Sequence, residues 1–158
     1  MRRPWEICWD RIFSWAAKRM STVAKNKVEI LVKDSTLATQ AIVDLQLSTK
    51  SLVGSIVYGC GGILIDGGWI RILGSGCEKM KRNLSDWNRD KIFSKTDDGS
   101  SYILIADDVL GGFFGVKTNT CDNIDGCQVY YYGPNSPSWH TTGLSYQGFI
   151  AYCFSGNL

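Results

Sequence analysis

Between residues 55 and 73 three short apolar runs follow one another, with glycine separating each from the next. The runs are Ser55–Tyr58, Gly62–Ile65 and Trp69–Leu73, and the separators are Gly61-Gly62 and Asp66-Gly67-Gly68. Runs this short, rich in isoleucine, valine and aromatics, suit half-buried strands. Glycine or Asp-Gly between them accepts the positive φ of a tight hairpin turn. The pattern predicts an antiparallel meander. Strand character appears earlier at Val28–Val32 and returns at Tyr102–Ala106, Phe113–Lys117 and Gln128–Tyr132. Pro134 and Pro137 read as the close of the sheet, and Trp139-His140-Thr141-Thr142 as a polar connector.

Helical periodicity flanks these runs. In residues 4–20, Trp5, Cys8, Trp9, Ile12, Phe13 and Ala16 recur at three- and four-residue steps, with Pro4 suited to the first turn. That tryptophan-rich face is expected to dock on the rest of the molecule, or else on a partner. A second helix is predicted over residues 35–47, capped by Asp34 or Ser35, with Leu37, Ala41, Ile42 and Leu45 as its buried stripe. The polar stretch 74–101 holds a short helix capped by Ser85 and anchored by Trp87. Ser145 caps a last helix whose Tyr146, Phe149, Ile150, Cys153 and Phe154 form a core-facing stripe. The expected fold is α+β: a twisted antiparallel sheet of about five or six strands with helices mainly on one face, residues 1–158 forming a single domain.

Composition narrows the partners. The net charge of +2 and the scattered lysines and arginines do not make a nucleic-acid footprint. No run approaches the ~20 apolar residues of a membrane span. Glu6, Asp10 and Arg11 break what would be the apolar core of a secretory leader. The reading is therefore cytoplasmic, with the six cysteines (8, 60, 77, 121, 127 and 153) reduced and structural. No Cys-x-x-Cys pair suggests a metal, and no cofactor is expected. Gly59-Cys60-Gly61-Gly62 lacks the Lys-Ser/Thr ending of a phosphate loop, and Gly74-Ser75-Gly76 opens no helix.

Asp107-Asp108 is the best carboxylate pair. It ends an apolar run and precedes Val109-Leu110-Gly111-Gly112, where aspartate commonly braces a turn. General acid–base or metal chemistry is the alternative, and His140, the one histidine, would have to join it. In Tyr130-Tyr131-Tyr132 alternation sends Tyr131 to one face and its neighbours to the other. Residues 121–145 contain no lysine or arginine to accompany base stacking.

Taken in order, Asn26–Leu31, Gly61–Gly76, Ile105–Phe114, Val129–Pro134 with Trp139, and Tyr146–Gly156 resemble a bacterial family catalogued as domain of unknown function 2625. The resemblance covers most of the chain and implies no activity, substrate or catalytic residue. In the family pattern a histidine stands where this chain has Gly68. Family members continue past the position of Leu158, so a short or truncated form is expected. More distantly, the Asp-ending strand, the aromatic strand, the Tyr strand, the Trp connector and the final helix are similar to the SUKH superfamily. That similarity implies an α+β fold and an immunity protein that binds and neutralises a toxin. The combined expectation is a protein-binding module working through Asp107, Asp108, Tyr131 and Trp139. The alternatives are a hydrolase or metal-dependent enzyme using Asp107, Asp108 and His140, and an oligomer-forming structural protein.

Overall fold

The computed structural model describes residues 25–89, 99, 101–118 and 123–155. Among them seven strands form one antiparallel sheet: β1 Val28–Leu31, β2 Gly62–Ile65, β3 Ile70–Leu73, β4 Tyr102–Asp108, β5 Phe113–Lys117, β6 Gln128–Gly133 and β7 Ser136–Ser145. Their order in the sheet is their order in the sequence, so every ladder joins consecutive strands. The Asp66-Gly67 signal is realised as the β2–β3 turn, with positive φ at both residues.

Four helices accompany the sheet: α1 Ser35–Leu45, α2 Leu52–Gly59, α3 Leu84–Arg89 and α4 Tyr146–Ser155. Asp34 caps α1 by accepting from Thr36 and Leu37 N–H, and Ser145 caps α4 by accepting from Gly148 N–H. The stripe of α4 is buried as its period requires. Phe149 meets Phe114 of β5 with ring centroids 4.8 Å apart. The core joins this helix to Ile56 and Val57 of α2 and to Ile63, Ile65, Ile72 and Val116 of the sheet.

Several expectations are corrected. Among the described residues the sheet has seven strands, one more than the upper end of the expected five or six. Ser55–Tyr58 lies inside α2, whose eight residues are too few to display a helical period beside a glycine-rich hairpin. The proline-bearing segment 136–145 is a strand, and Trp139 and His140 lie on it instead of in a connector. It is an edge strand, where proline removes no ladder bond that a neighbour needs. Asn83 replaces Ser85 as the cap of α3, accepting from Asp86 N–H at 2.7 Å. On α1 the buried pair is Ala38 and Ala41, with Leu37 44% exposed. Trp87 of α3 meets Phe113 with ring centroids 5.7 Å apart, while the neighbouring Phe114 faces α4. The helix expected over residues 4–20 lies outside the described residues.

Two polar contacts between residues distant in the sequence supplement the ladders and local caps. Beyond the last β3 pairing, Asn88 of α3 donates to Leu104 O and accepts from Leu104 N–H, standing in for a strand beside β4. The Asp125 carboxylate accepts from Leu52 and Val53 N–H at 2.7 and 3.0 Å, capping α2 from a 3-10 turn over seventy residues away.

Candidate functional site

β4 ends with Asp107 and Asp108, and strand alternation sends their side chains to opposite faces. Asp107 lies opposite Arg71 of β3 in the ladder. Arg71 grips its carboxylate with two hydrogen bonds, Nε to Oδ1 at 2.9 Å and Nη2 to Oδ2 at 2.6 Å, and donates a third to Asp108 O at 2.9 Å. Arg82 adds a second ion pair to Asp107 at 3.2 Å. The bonds that Arg71 gives Asp107 hold its guanidinium more firmly charged than usual.

Asp108 secures the β4–β5 turn. Its Oδ1 accepts from Leu110 N–H at 2.9 Å and Gly112 N–H at 2.8 Å, while Oδ2 accepts the Tyr131 hydroxyl at 2.7 Å. Any Cβ at Gly112 would stand 2.1 Å from that hydroxyl, so the close approach requires glycine. Loss of water, together with the hydrogen bond to Asp108 and its charge, pushes Tyr131 up to about 12. Both aspartates are buried, at 4% and 8% exposure, so neither offers a free carboxylate to solvent.

What the pair holds up is exposed. Val109 N–H donates to Trp69 O at 3.0 Å, tying the β4–β5 turn to the β2–β3 turn. Trp69, Val109 and Leu110 stand 51%, 52% and 65% exposed. Beside them opens a cleft of about 590 Å³, with Trp69, Val109, Arg71 and Arg82 in its walls. The other sequence-selected residues lie elsewhere. Trp139 stacks on Tyr102, centroids 4.3 Å apart, and meets Tyr132 at 5.3 Å. Its ring covers Gly115, where a Cβ would come within 2.8 Å of it.

His140 is exposed on β7, its Nε2 at 2.9 Å from the hydroxyls of Ser136 and Ser138. Strand β7 is three ladders from β4, so the His140 backbone stands about 14 Å from the aspartates at ordinary strand spacing. The sheet thus does not bring His140 beside Asp107 and Asp108. Among the described residues no group of three or more His, Cys, Asp or Glu is placed to hold a metal. No helix among them is long and apolar enough to cross a membrane.

Sequence reading missed Trp69, Arg71, Arg82, Val109 and Leu110. The available signal was Arg71 alternating with Ile70 and Ile72, which marks a polar outer position that needs an acidic neighbour on the next strand.

The cysteines also depart from expectation. Cys60, Cys77 and Cys153 are free, but Cys127 is disulfide-bonded, so the six are not all reduced. Burial pushes Cys60 and Cys153 up to about 12, keeping both as inert thiols.

Fold and site define an α+β protein built on a sequential antiparallel sheet, with an exposed apolar knob beside a cationic cleft. The chain belongs to the family described as protein of unknown function DUF2625, whose model matches residues 6–158. It is similar to an uncharacterized protein of Haemophilus influenzae, 36% identical over 155 residues, which are 98% of this chain and 65% of that protein. It is likewise similar to the putative uncharacterized protein YbfG of Escherichia coli K12, 35% identical over 153 residues, 97% of this chain and 66% of that one. The chain thus spans just under two-thirds of the length of these relatives.

Proposed function

We propose that this chain is a protein-binding module whose contact face is the knob formed by Trp69, Val109 and Leu110. The observation that carries the reading is that three large apolar side chains are held at about half exposure or more on two turns bonded to each other. Turns fixed by Asp107, Asp108 and Tyr131 present them without the ordering cost a floppy loop would incur on association. Tryptophan flanked by aliphatic side chains is the composition of an interface anchor. In this reading Asp107, Asp108 and Tyr131 position the face and do not themselves touch the partner. Trp139 stiffens the sheet further along. The resemblance to SUKH immunity proteins makes a toxin the first partner to test, with neutralisation by stoichiometric binding as the mechanism.

The experiment is affinity capture from native cells with the full chain and two variants, Trp69→Ala and Leu110→Asp. One protein is expected at near-equal amounts with the unaltered chain, lost with both variants while their circular dichroism is unchanged. Capture that survives both substitutions would place the interface elsewhere and end this assignment.

A further inference from the structure

We infer that the partner docks through an acidic segment carrying a bulky apolar side chain, with its carboxylates in the cleft and its apolar group on the knob. This rests on the binding reading above and adds the partner's chemistry.

The cleft presents four cationic side chains, Arg71, Lys79, Lys81 and Arg82, against one carboxylate, Asp66. Internal partners leave part of that charge unanswered. Lys79 pairs with Glu29. Arg71 and Arg82 share the carboxylate of Asp107 as their ion-pair partner. Arg82 keeps 44% of its side chain exposed and makes that ion pair through Nη1. Its guanidinium lies over the Trp87 ring, 5.6 Å from the centroid, which restrains its orientation. A guanidinium has five N–H donors in a fixed fork, so Arg82 has donors left for an incoming carboxylate. Lys81 is exposed on the same wall, and no carboxylate among the described residues pairs with it.

Shape selects among anions. The cleft is open and its volume of about 590 Å³ exceeds what one phosphate needs. Trp69 and Val109 belong to its lining, which makes the cationic wall and the apolar knob one continuous surface. Nucleic acid calls for a basic track along one face, and a chain of net charge +2 with scattered lysines and arginines does not supply it. A peptide segment with acidic residues flanking a large apolar one matches both halves. Charge on the rim then steers the encounter, and the apolar anchor sets the lifetime of the complex.

The test is selection of a random peptide display library on the intact chain, followed by affinity measurements on synthetic winners. Enriched peptides should carry Asp or Glu beside Leu, Phe or Trp. Their binding should be lost with Trp69→Ala and Leu110→Asp. Lys81→Glu should weaken it about tenfold or more and flatten its dependence on salt. Winners that need Trp69 but are neutral or basic, or that ignore Lys81→Glu, overturn the acidic inference and leave the binding reading standing. A selection that yields no peptide sensitive to Trp69 overturns both.

Discussion

Replacing Asp108 with alanine strips acceptors from Leu110 N–H, Gly112 N–H and the Tyr131 hydroxyl together. With the buried Gly112 N–H and the half-buried Tyr131 hydroxyl left unpaired, the expected loss is about 2 kcal/mol in urea unfolding, against about 1 kcal/mol for Tyr131→Phe, which removes one bond and keeps the ring. Tyr131 also makes stability depend on alkaline pH. Its hydroxyl titrates at about 12 in the fold instead of near 10, so the folded form retains a proton that the unfolded chain releases between those values. Its contribution should be complete below pH ~10 and disappear as pH rises through ~12. The difference between the unaltered chain and Tyr131→Phe in urea midpoint measures it, and should shrink across that window. The brace at Asp108 was legible in the sequence because an Asx turn is local, its partners being two and four residues away. The role of Asp107 was not, since its guanidinium partner Arg71 lies 36 residues back and is set opposite it only by strand register.

Among the elements, α2 was the hardest to read and is held in the least local way. Its first turn is capped by Ser51, but Asp125 supplies acceptors for Leu52 and Val53 N–H from across the fold. Asp125→Ala should cost about 1 kcal/mol, seen as a lower urea midpoint with little change in cooperativity. Short apolar helices and buried strands look alike when only two turns are on offer, which is why Ser55–Tyr58 passed for a strand. The error at β7 has a different cause. Proline argues against a central strand, whereas at the rim of a sheet Pro137 is harmless, and the sequence does not say which strand will be the rim. Helices α1 and α4 were legible because Asp34 and Ser145 announce their starts chemically.

For the molecule as a whole, the α+β class and the antiparallel order followed from glycine punctuation between short runs. The redox state did not, because a cysteine's partner is chosen by the fold. Since Cys127 is bridged and Cys60, Cys77 and Cys153 are free, denaturing the unreduced protein and titrating with a thiol reagent should count at most four thiols, not the six of the sequence. Six would show that the bridge does not form in the purified chain. A last consequence follows from α4. Each strand pairs with the one made just before it, so the sheet can assemble in the order of synthesis, with short connections at β2–β3, β4–β5 and β6–β7 and longer ones, residues 32–61 and 74–101, before β2 and β4. The late helix alone ties the two ends of the described chain, through Lys25 N–H to Phe154 O and Asn26 to Cys153 O. A nascent chain halted before Tyr146 would therefore carry a nearly finished sheet in which Phe114 still meets Tyr131 but lacks the cover of Phe149, and that is the stage at which a chaperone would find an apolar face to hold.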